Sequence, residues 1–435
     1  MSKRFWLLGF VGLIFAGLLV ACGSSYNSSS NGLVLVGSQG SSVIQTFSLN
    51  LNSGHVSSLA NSTNDTSNQT CILNGSPASM VANPAGTYAY VIFNASSVCQ
   101  NATQPGIAVF QIKSDGSTAQ VGNLVPDPNP ISLAMDPTGK FLFVAEGINS
   151  WGQSPAPTAC PQTSTQYGVC VYLIGSDGSL TGVQGTFNFV NGQGFRTPNI
   201  VAVAPTPTVF PGTGINGVQN AVCTVGNTPP TSEFLYAVDA DNYVVWEFSV
   251  DTSTGALGNP NPAAVPWFST DAVPAGVAVD PCARFVYVSG NLHNKVNAYT
   301  ICTVVTQDPP CPIANGSLVP VSGSPFPVTG SGNGLGPIVV DPYGNNVYVV
   351  GTLSNTVSAF KISPVSGNLT ALTPATVATG TQPKSIAIRR DDNWMFVSNY
   401  GSASVSQYQV TPATGALTTA TPITTDNYPF GVAVK

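Results

Sequence analysis

Short apolar runs recur along the chain, and Gly, Pro, Asn and Asp separate them. One kind of run begins at a proline, as in PISLAMDP from Pro130, PAGVAVDP from Pro274 and PIVVDP from Pro337. It usually ends with Asp or Asn, then Pro, and then Gly two positions later, which is the residue preference of a type I turn. The pattern therefore predicts a short strand and a tight turn in each copy.

A second kind of run is rich in aromatic and β-branched residues, and a third follows it after a short polar loop. Four copies of this pair align without a gap, namely YAVDADNYVVWEF, YVSGNLHNKVNAY, YVVGTLSNTVSAF and FVSNYGSASVSQY. A small turn such as STGAL or ATGAL then leads to a fourth run, and its Gly supplies the positive φ that a tight hairpin needs. Each unit is thus predicted to be a four-stranded antiparallel meander of about 40–50 residues, the size of a propeller blade.

The number of units and the two chain ends predict a closed ring. Six complete units begin at Pro77, Pro130, Pro198, Pro274, Pro337 and Pro383. The segment from Leu33 supplies a second and a third strand and a hairpin turn at Gly54, whereas the final PFGVAVK is a first strand alone. We therefore predict an all-β, seven-bladed β-propeller over residues 33–435, in which the last strand pairs with the first and leaves no open edge. Six or eight blades are the alternatives.

The N-terminus predicts export. Lys3 and Arg4 precede an apolar run that ends before LVAC at Cys22. Such an arrangement is typical of a secretory signal, and LVAC resembles the lipobox of bacterial lipoproteins. We expect a signal peptide at 1–21, lipidation of Cys22 and a flexible tether at 22–32; an ordinary signal peptide or an anchor helix is the alternative. Gly23 after the Cys implies sorting to the outer membrane.

The low charge content excludes one class of binding partner. Only 7% of residues are charged and the net charge is −6, so no basic stripe for a nucleic acid can form. The chain is expected to be monomeric.

Eight cysteines remain in the exported chain, which favours disulfides. From their places in the repeats we predict four pairs: Cys71–Cys99, Cys160–Cys170, Cys223–Cys282 and Cys302–Cys311.

The run FVSNYGSASVSQYQVTPATGAL from Phe396, together with its repeats, resembles the seven-bladed YVTN propellers and the lactonase-type propellers related to them. The resemblance covers residues 33–435. It implies hydrolysis of a sugar lactone, such as 6-phosphogluconolactone, by a base that activates water and a cation that stabilises the oxyanion. The same blades also serve receptors and scaffolds.

Blade topology assigns the candidate site residues to one face. Loops after strand two and links to the next strand one share the face on which propellers usually bind ligands around the central channel. This face receives the candidate catalytic residues His293, Glu146, Asp239 and Asp241. It also receives the candidate ligand-binding residues Arg196, Lys384, Lys295, Asn291, Asn399 and Tyr400. The links add Asp271 and Asp426, without an assigned role.

The opposite face carries the strand one–two turns. There Arg389–Asp392 replaces the usual Asp-Pro-x-Gly, and His55 lies in a hairpin turn; both are expected to be solvated. We expect neither a cofactor nor a resident metal, although the oxygen-rich turn DADN at Asp239 is a conceivable calcium site.

The leading functional hypothesis is a cell-envelope lipoprotein whose propeller binds a small-molecule or protein ligand at its channel face. The alternative is a lactone hydrolase of the 6-phosphogluconolactonase type. A redox or quinoprotein-like propeller ranks third, because no haem motif or tryptophan docking repeat is present.

Overall fold

The computed structural model describes residues 31–63, 76–94, 105–127, 130–146, 168–183, 198–204, 233–258, 267–271, 273–302, 306–307, 310–311, 316–330 and 334–435. The expected signal peptide at 1–21 and the lipidation site Cys22 lie outside these residues. The same holds for Arg196, Cys71, Cys99, Cys160 and Cys223. No helix in the described part of the chain is long and apolar enough to cross a membrane.

Seven antiparallel sheets of four or five strands form the molecule and confirm the predicted all-β propeller. Blade 1 begins with β1 (Asn31–Ser38), β2 (Val43–Asn50) and β3 (Val56–Thr63). Blade 2 comprises β4 (Ser76–Ala82), β5 (Tyr88–Asn94), β6 (Gly106–Ile112) and β7 (Thr118–Pro126). Blade 3 comprises β8 (Pro130–Met135), β9 (Phe141–Glu146), β10 (Gly168–Ile174) and β11 (Leu180–Gly182).

The later blades repeat this order. Blade 4 comprises β12 (Pro198–Ala204), β13 (Glu233–Asp239), β14 (Val244–Val250), β15 (Leu257–Gly258) and β16 (Trp267–Ser269). Blade 5 comprises β17 (Pro274–Val279), β18 (Phe285–Gly290) and β19 (Lys295–Ile301), then a two-stranded hairpin of β20 (Thr306–Gln307) and β21 (Pro310–Cys311), then β22 (Leu318–Pro320) and β23 (Phe326–Pro327). Blade 6 comprises β24 (Leu335–Val340), β25 (Asn346–Gly351), β26 (Thr356–Ile362) and β27 (Leu369–Ala378). Blade 7 comprises β28 (Pro383–Ile388), β29 (Trp394–Asn399), β30 (Ser404–Thr411), β31 (Ala416–Thr419) and β32 (Ile423–Thr424), with a short 3-10 helix at Tyr400–Ser402.

The last strand, β33 (Pro429–Val434), completes blade 1 by pairing with β1. Val34 lies opposite Val434 and Gly37 opposite Gly431. The Lys435 N–H donates to the Leu33 carbonyl at 2.9 Å and extends this ladder. The innermost strands then contact one another in the cyclic order β33, β4, β8, β12, β17, β24, β28 and back to β33. The predicted closure of the ring by the two chain ends is confirmed.

The hydrophobic core lies between neighbouring blades. Tyr287 and Val296 of blade 5, for example, pack with Val349 and Phe360 of blade 6 in one buried cluster. Both faces of each sheet are covered by the adjacent blades, so the second strand of most blades is buried throughout and reads as a nearly continuous apolar run.

Three of the predicted disulfide cysteines have described side chains. Cys170, Cys282 and Cys302 are buried and disulfide-bonded. The side chains of their expected partners, Cys160, Cys223 and Cys311, lie outside the described part. The four pairings therefore stay predictions.

Candidate functional site

The C-terminal ends of the second strands bring most of the candidate residues to one face. Glu146, Asp239 and Asn399 are the last residues of β9, β13 and β29. Because antiparallel neighbours alternate in direction, the links into the next innermost strand end at the same side. Asp271 lies in the link that precedes β17, and Lys384 is the second residue of β28.

The Asp271 carboxylate contacts an imidazole and an ammonium group from the next blade. Its Oδ2 lies 3.2 Å from His293 Nδ1 and 3.2 Å from Lys295 Nζ. The Asp271 N–H donates to Asn297 Oδ1 at 3.1 Å, which fixes the link against β19. His293 is 58% exposed, whereas Asp271 is 30% exposed.

The electrostatics of this cluster favour an ionised carboxylate. Partial burial alone would raise the pKa of Asp271, but the hydrogen bonds from Lys295 and His293 outweigh this effect and lower it. A carboxylate that accepts from Nδ1–H leaves the lone pair on Nε2, the other ring nitrogen. The exposed His293 ring is therefore oriented as a general base is, with an ammonium group beside it.

A second group of side chains combines aromatic rings with a cation. The ring centroid of Tyr400 lies 4.9 Å from that of Tyr428 and 6.2 Å from that of Phe430. Lys384 Nζ stands 5.9 Å from the Tyr400 centroid, within the range of a cation–π contact. Tyr428 is 49% exposed, so the group presents an apolar ring face and a positive charge to solvent.

Glu146 belongs to a buried pair of acids and is only 6% exposed. The Tyr172 hydroxyl donates to Asp127 Oδ2 at 3.0 Å, and Asp127 is 1% exposed. Burial raises the pKa of Glu146 well above its ordinary value, and the neighbouring Asp127 raises it further. These effects favour the protonated form of Glu146, which donates a proton rather than taking one from water.

The sulfur of Cys170 approaches the same two acids, and the three groups offer donor atoms within 4.8 Å of one another. A disulfide sulfur is not a thiolate, however, and Cys170 is disulfide-bonded. The cluster is therefore a carboxyl pair beside a disulfide and does not have the donor chemistry of a zinc site.

Asp239 is engaged by its own turn. Its Oδ1 accepts from the N–H groups of Asp241 and Asn242, each at 3.1 Å, and its Oδ2 accepts from Asn242 Nδ2 at 2.7 Å. Asp239 is fully buried. An Asp that bonds backbone N–H groups two and three residues ahead is the usual device for holding a tight turn.

Two asparagines of the candidate set also hold loops. Asn291 Nδ2 donates to the Leu335 carbonyl in the next blade at 3.0 Å. Asn399 Nδ2 donates to Ser406 Oγ at 2.9 Å and to Ser404 Oγ at 3.2 Å, and the side chain is fully buried. Both amides fix the rim of the channel face.

Residues 225–428 match the family model described as lactonase, 7-bladed beta-propeller. A search of curated proteins finds no match. The chain has a lactonase-like seven-bladed propeller fold.

Solved structures share this lactonase-like fold at low sequence identity. A putative 6-phosphogluconolactonase from Bacteroides fragilis is 18% identical with a TM-score of 0.64, over 95% of this chain and 100% of that chain. The periplasmic gluconolactonase of Pseudomonas aeruginosa is 18% identical with a TM-score of 0.64, over 93% of this chain and 99% of that one. A putative 6-phosphogluconolactonase from Bacteroides uniformis is 17% identical with a TM-score of 0.61, over 93% and 100%.

The lactonase-like propeller therefore brings together His293, Lys295 and Asp271 in one group, and Tyr400 and Lys384 in another. Tyr428 and Phe430 were absent from the candidates taken from the sequence. The signal that could have pointed to them is the sequence DNYPF, in which an aromatic residue ends the polar final link and another begins the last strand.

Proposed function

We propose that this lactonase-like propeller hydrolyses lactones of sugar acids at its channel face. The observation that carries the proposal is the convergence of an imidazole and an ammonium group on Asp271. The similar structures from Bacteroides fragilis and Pseudomonas aeruginosa bear lactonase names. At 18% identity they support the fold, and their activity comes to this chain only as part of the proposal.

In the proposed reaction His293 acts as the general base. Its Nε2 takes a proton from water while the oxygen of that water attacks the lactone carbonyl carbon. The carbonyl oxygen gains a negative charge in the tetrahedral intermediate, and the Lys295 ammonium stabilises it. The C–O bond of the ring then breaks, and the imidazolium returns its proton to the leaving alkoxide. The product is the open-chain hydroxy acid.

Asp271 is a positioning residue in this scheme. Its carboxylate holds Nδ1 and stabilises the imidazolium that forms when Nε2 takes the proton. The same oxygen keeps the Lys295 ammonium near the ring. Glu146 and Asp239, by contrast, are buried, and Asp239 holds its own turn.

We further propose that the protein works in the cell envelope, anchored by a lipid on Cys22. Support comes from Lys3 and Arg4, the apolar run after them and the LVAC sequence. A substrate met there is a lactone outside the cytoplasm, which favours an unphosphorylated sugar lactone.

The purified protein should be assayed by pH-stat against a panel of sugar δ- and γ-lactones and homoserine lactones. We expect turnover of at least one sugar lactone and a fall of about 10²–10⁴-fold in kcat for His293→Ala. The control is His55→Ala, because His55 is the other histidine of the chain and is exposed in a hairpin turn outside the proposed site. An absence of turnover on the whole panel, or equal activity of the two variants, contradicts the proposal.

A ligand-binding scaffold without catalysis is the second candidate. The adjacent, tilted rings of Tyr400 and Tyr428 with Lys384 favour it, since they offer a binding surface that needs no base. Binding of a sugar acid measured by calorimetry, weakened by Tyr428→Ala and accompanied by no lactone turnover, would select this candidate over the hydrolase.

A further inference from the structure

The turn between the first and second strands has the same backbone form in every blade where it is described. The fourth residue of the turn has a positive φ and is small: Gly86 (+63°), Gly139 (+75°), Ala283 (+52°) and Gly344 (+67°). In blade 7 this position is Asp392, with φ +55°. Its N–H donates to the carbonyl three residues earlier, as the others do. An aspartate thus occupies a position that the repeat otherwise gives to Gly or Ala.

A side chain at this position points at the turn of the preceding blade. A Cβ on Gly344 would contact Oδ1 of Asp280, the first residue of the blade 5 turn, and would lie 2.9 Å from Arg284 Nη2. The equivalent partner of Asp392 is Asp341, the first residue of the blade 6 turn. Asp392 is fully buried, although the sequence suggested a solvated turn residue. The close approach of blades at this point explains the burial.

A second departure from the repeat lies at the same junction. Strand two begins with an aromatic residue that packs beneath the hairpin glycine of the next blade. It is the first residue of the strand at Tyr88, Phe141, Phe285 and Trp394 and the second at Phe234. In blade 6 the residue is Asn346. Its Nδ2 donates to Asp341 Oδ2 at 2.5 Å, and the side chain is fully buried. A polar amide therefore replaces a ring, and it faces Asp341.

Three oxygens at this junction have no hydrogen-bond partner: Asn346 Oδ1, Asp392 Oδ1 and Asp392 Oδ2. Burial raises the pKa of Asp392 to about 9, and the nearby Asp341 carboxyl contributes to that rise. Burial likewise raises the pKa of Asp341. Buried polar atoms without partners cost about 1–3 kcal/mol each, and more when they are charged. In the described structure no cationic side chain donates a hydrogen bond to these three oxygens.

The preceding junction shows what such a group does. Arg284 donates to both oxygens of Asp280, at 2.7 and 2.8 Å, and to the carbonyl of Gly344 at 3.0 Å. Asn345 takes the place of this arginine in blade 6. Lys361 lies close enough to lower the pKa of both acids, but it forms no salt bridge with them in the described structure.

We propose that Asp341, Asn346 and Asp392 bind a calcium ion that links blades 6 and 7 at the face opposite the proposed catalytic site. The donors are two carboxylates and an amide carbonyl, all oxygen, which suits a hard cation and does not suit zinc or copper. Calcium is favoured over magnesium because the donors are fixed by packing and Ca²⁺ tolerates irregular geometry, whereas Mg²⁺ demands a near-ideal octahedron. The site departs from the expectation of no resident metal and is independent of the proposed hydrolysis.

Calcium titration of metal-stripped full-length protein tests the site. We expect one Ca²⁺ per chain by elemental analysis and a rise of about 2–5 °C in Tm on saturation. Asp392→Gly restores the residue of the repeat, so it should fold, lose the bound ion and show no calcium-dependent shift. The control is Asp241→Asn, in the DADN turn of blade 4, which should retain the full shift.

Three outcomes overturn the proposal. The first is an absence of calcium binding by the wild-type protein. The second is an equal calcium-dependent shift in Asp392→Gly, which would place the ion elsewhere. The third is loss of the shift in Asp241→Asn alone, which would assign it to the DADN turn. A magnesium shift as large as the calcium shift would contradict the choice of ion.

Discussion

The hydroxyl of Tyr287 in blade 5 donates a buried hydrogen bond of 3.0 Å to the carbonyl oxygen of Gly367 in blade 6. The same bond recurs between Tyr90 and Gly178, Tyr236 and Gly316, and Tyr348 and Gly415. Each glycine has a positive φ in the hairpin between strands three and four. The hairpin carbonyl points away from its own sheet, and the tyrosine of the preceding blade satisfies it. These bonds join neighbouring blades where both would otherwise bury an unpaired polar group.

Tyr287→Phe should reduce the free energy of unfolding by about 1–3 kcal/mol, because the buried Gly367 carbonyl is left without a donor. Tyr348→Phe should have a similar effect, since its bond to Gly415 is 2.9 Å and equally buried. Chemical denaturation with a common m-value gives both numbers. Tyr243→Phe is the control, because Tyr243 is 48% exposed, and it should change stability by less than about 0.5 kcal/mol. Equal values for Tyr287→Phe and the control would contradict the role of the bond.

Gly367→Ala should destabilise the protein for two separable reasons. Gly367 has φ +76°, which strains any residue with a Cβ, and that Cβ would lie 2.6 Å from the Phe285 ring. Gly122 has φ +65° and no atom within 4 Å of its added Cβ, so Gly122→Ala reports the backbone strain alone.

We expect a loss of about 1 kcal/mol for Gly122→Ala. Gly367→Ala should lose clearly more, since the ring must move from a packed site. Thermal denaturation of the two variants measures the difference. If the losses are the same, the hairpin glycines are required by φ and not by the packing of the aromatic residue beneath them.

Glu247 should make stability fall as the pH rises. Burial raises its pKa from 4.5 to about 8, so the folded chain keeps a proton that the unfolded chain releases. Below about pH 4.5 both states are protonated, and above about pH 8 both are ionised. Between these values the unfolded state binds fewer protons, and the free energy of unfolding therefore decreases with pH.

Glu247→Gln should remove this contribution, which is a few kcal/mol at most. The free energy of unfolding of the variant, relative to that of the wild type, should rise steadily between about pH 5 and 8. Outside that window the difference should be constant. Urea denaturation over the pH range measures it. Other buried acids, including Glu146, give the wild type a slope of the same sign, so the difference between the two proteins is the informative quantity. A difference that does not vary with pH would contradict the assignment.

How much of this could be predicted from the sequence depends on the distance over which each contact acts. Repeat spacing and turn residues are local signals. They were enough to predict the blades, the ring closure by β33 and the face on which each loop lies. The meeting of His293 with Asp271 joins a loop to a link of the preceding blade, which no local pattern reports. The burial of Glu146 and Asp392 likewise depends on neighbouring blades. Asn346 and Asp392 were visible only as departures from the repeat.

The proposed reaction assigns different kinetic effects to the charged groups of the channel face. Asp271→Asn should lower kcat, because an amide neither holds Nδ1–H as a carboxylate does nor stabilises the imidazolium. Its KM should change little, since Asp271 contacts His293 and Lys295 and not the substrate. Lys295→Met removes the cation at the oxyanion and should lower kcat by about 10²-fold or more.

The matched control for these variants is Lys384→Met. Lys384 stands over the Tyr400 ring, away from the Asp271 cluster in sequence and contacts, and should affect binding alone by raising KM at unchanged kcat. The pH profile supplies a readout that a purely structural role would not move. The hydrogen bonds that lower the pKa of Asp271 keep it ionised down to acidic pH, so the wild-type profile should be governed by His293. In Asp271→Asn the acidic limb should shift to lower pH, since the neutral amide no longer favours the imidazolium. An unshifted limb would show that Asp271 does not act through the ring.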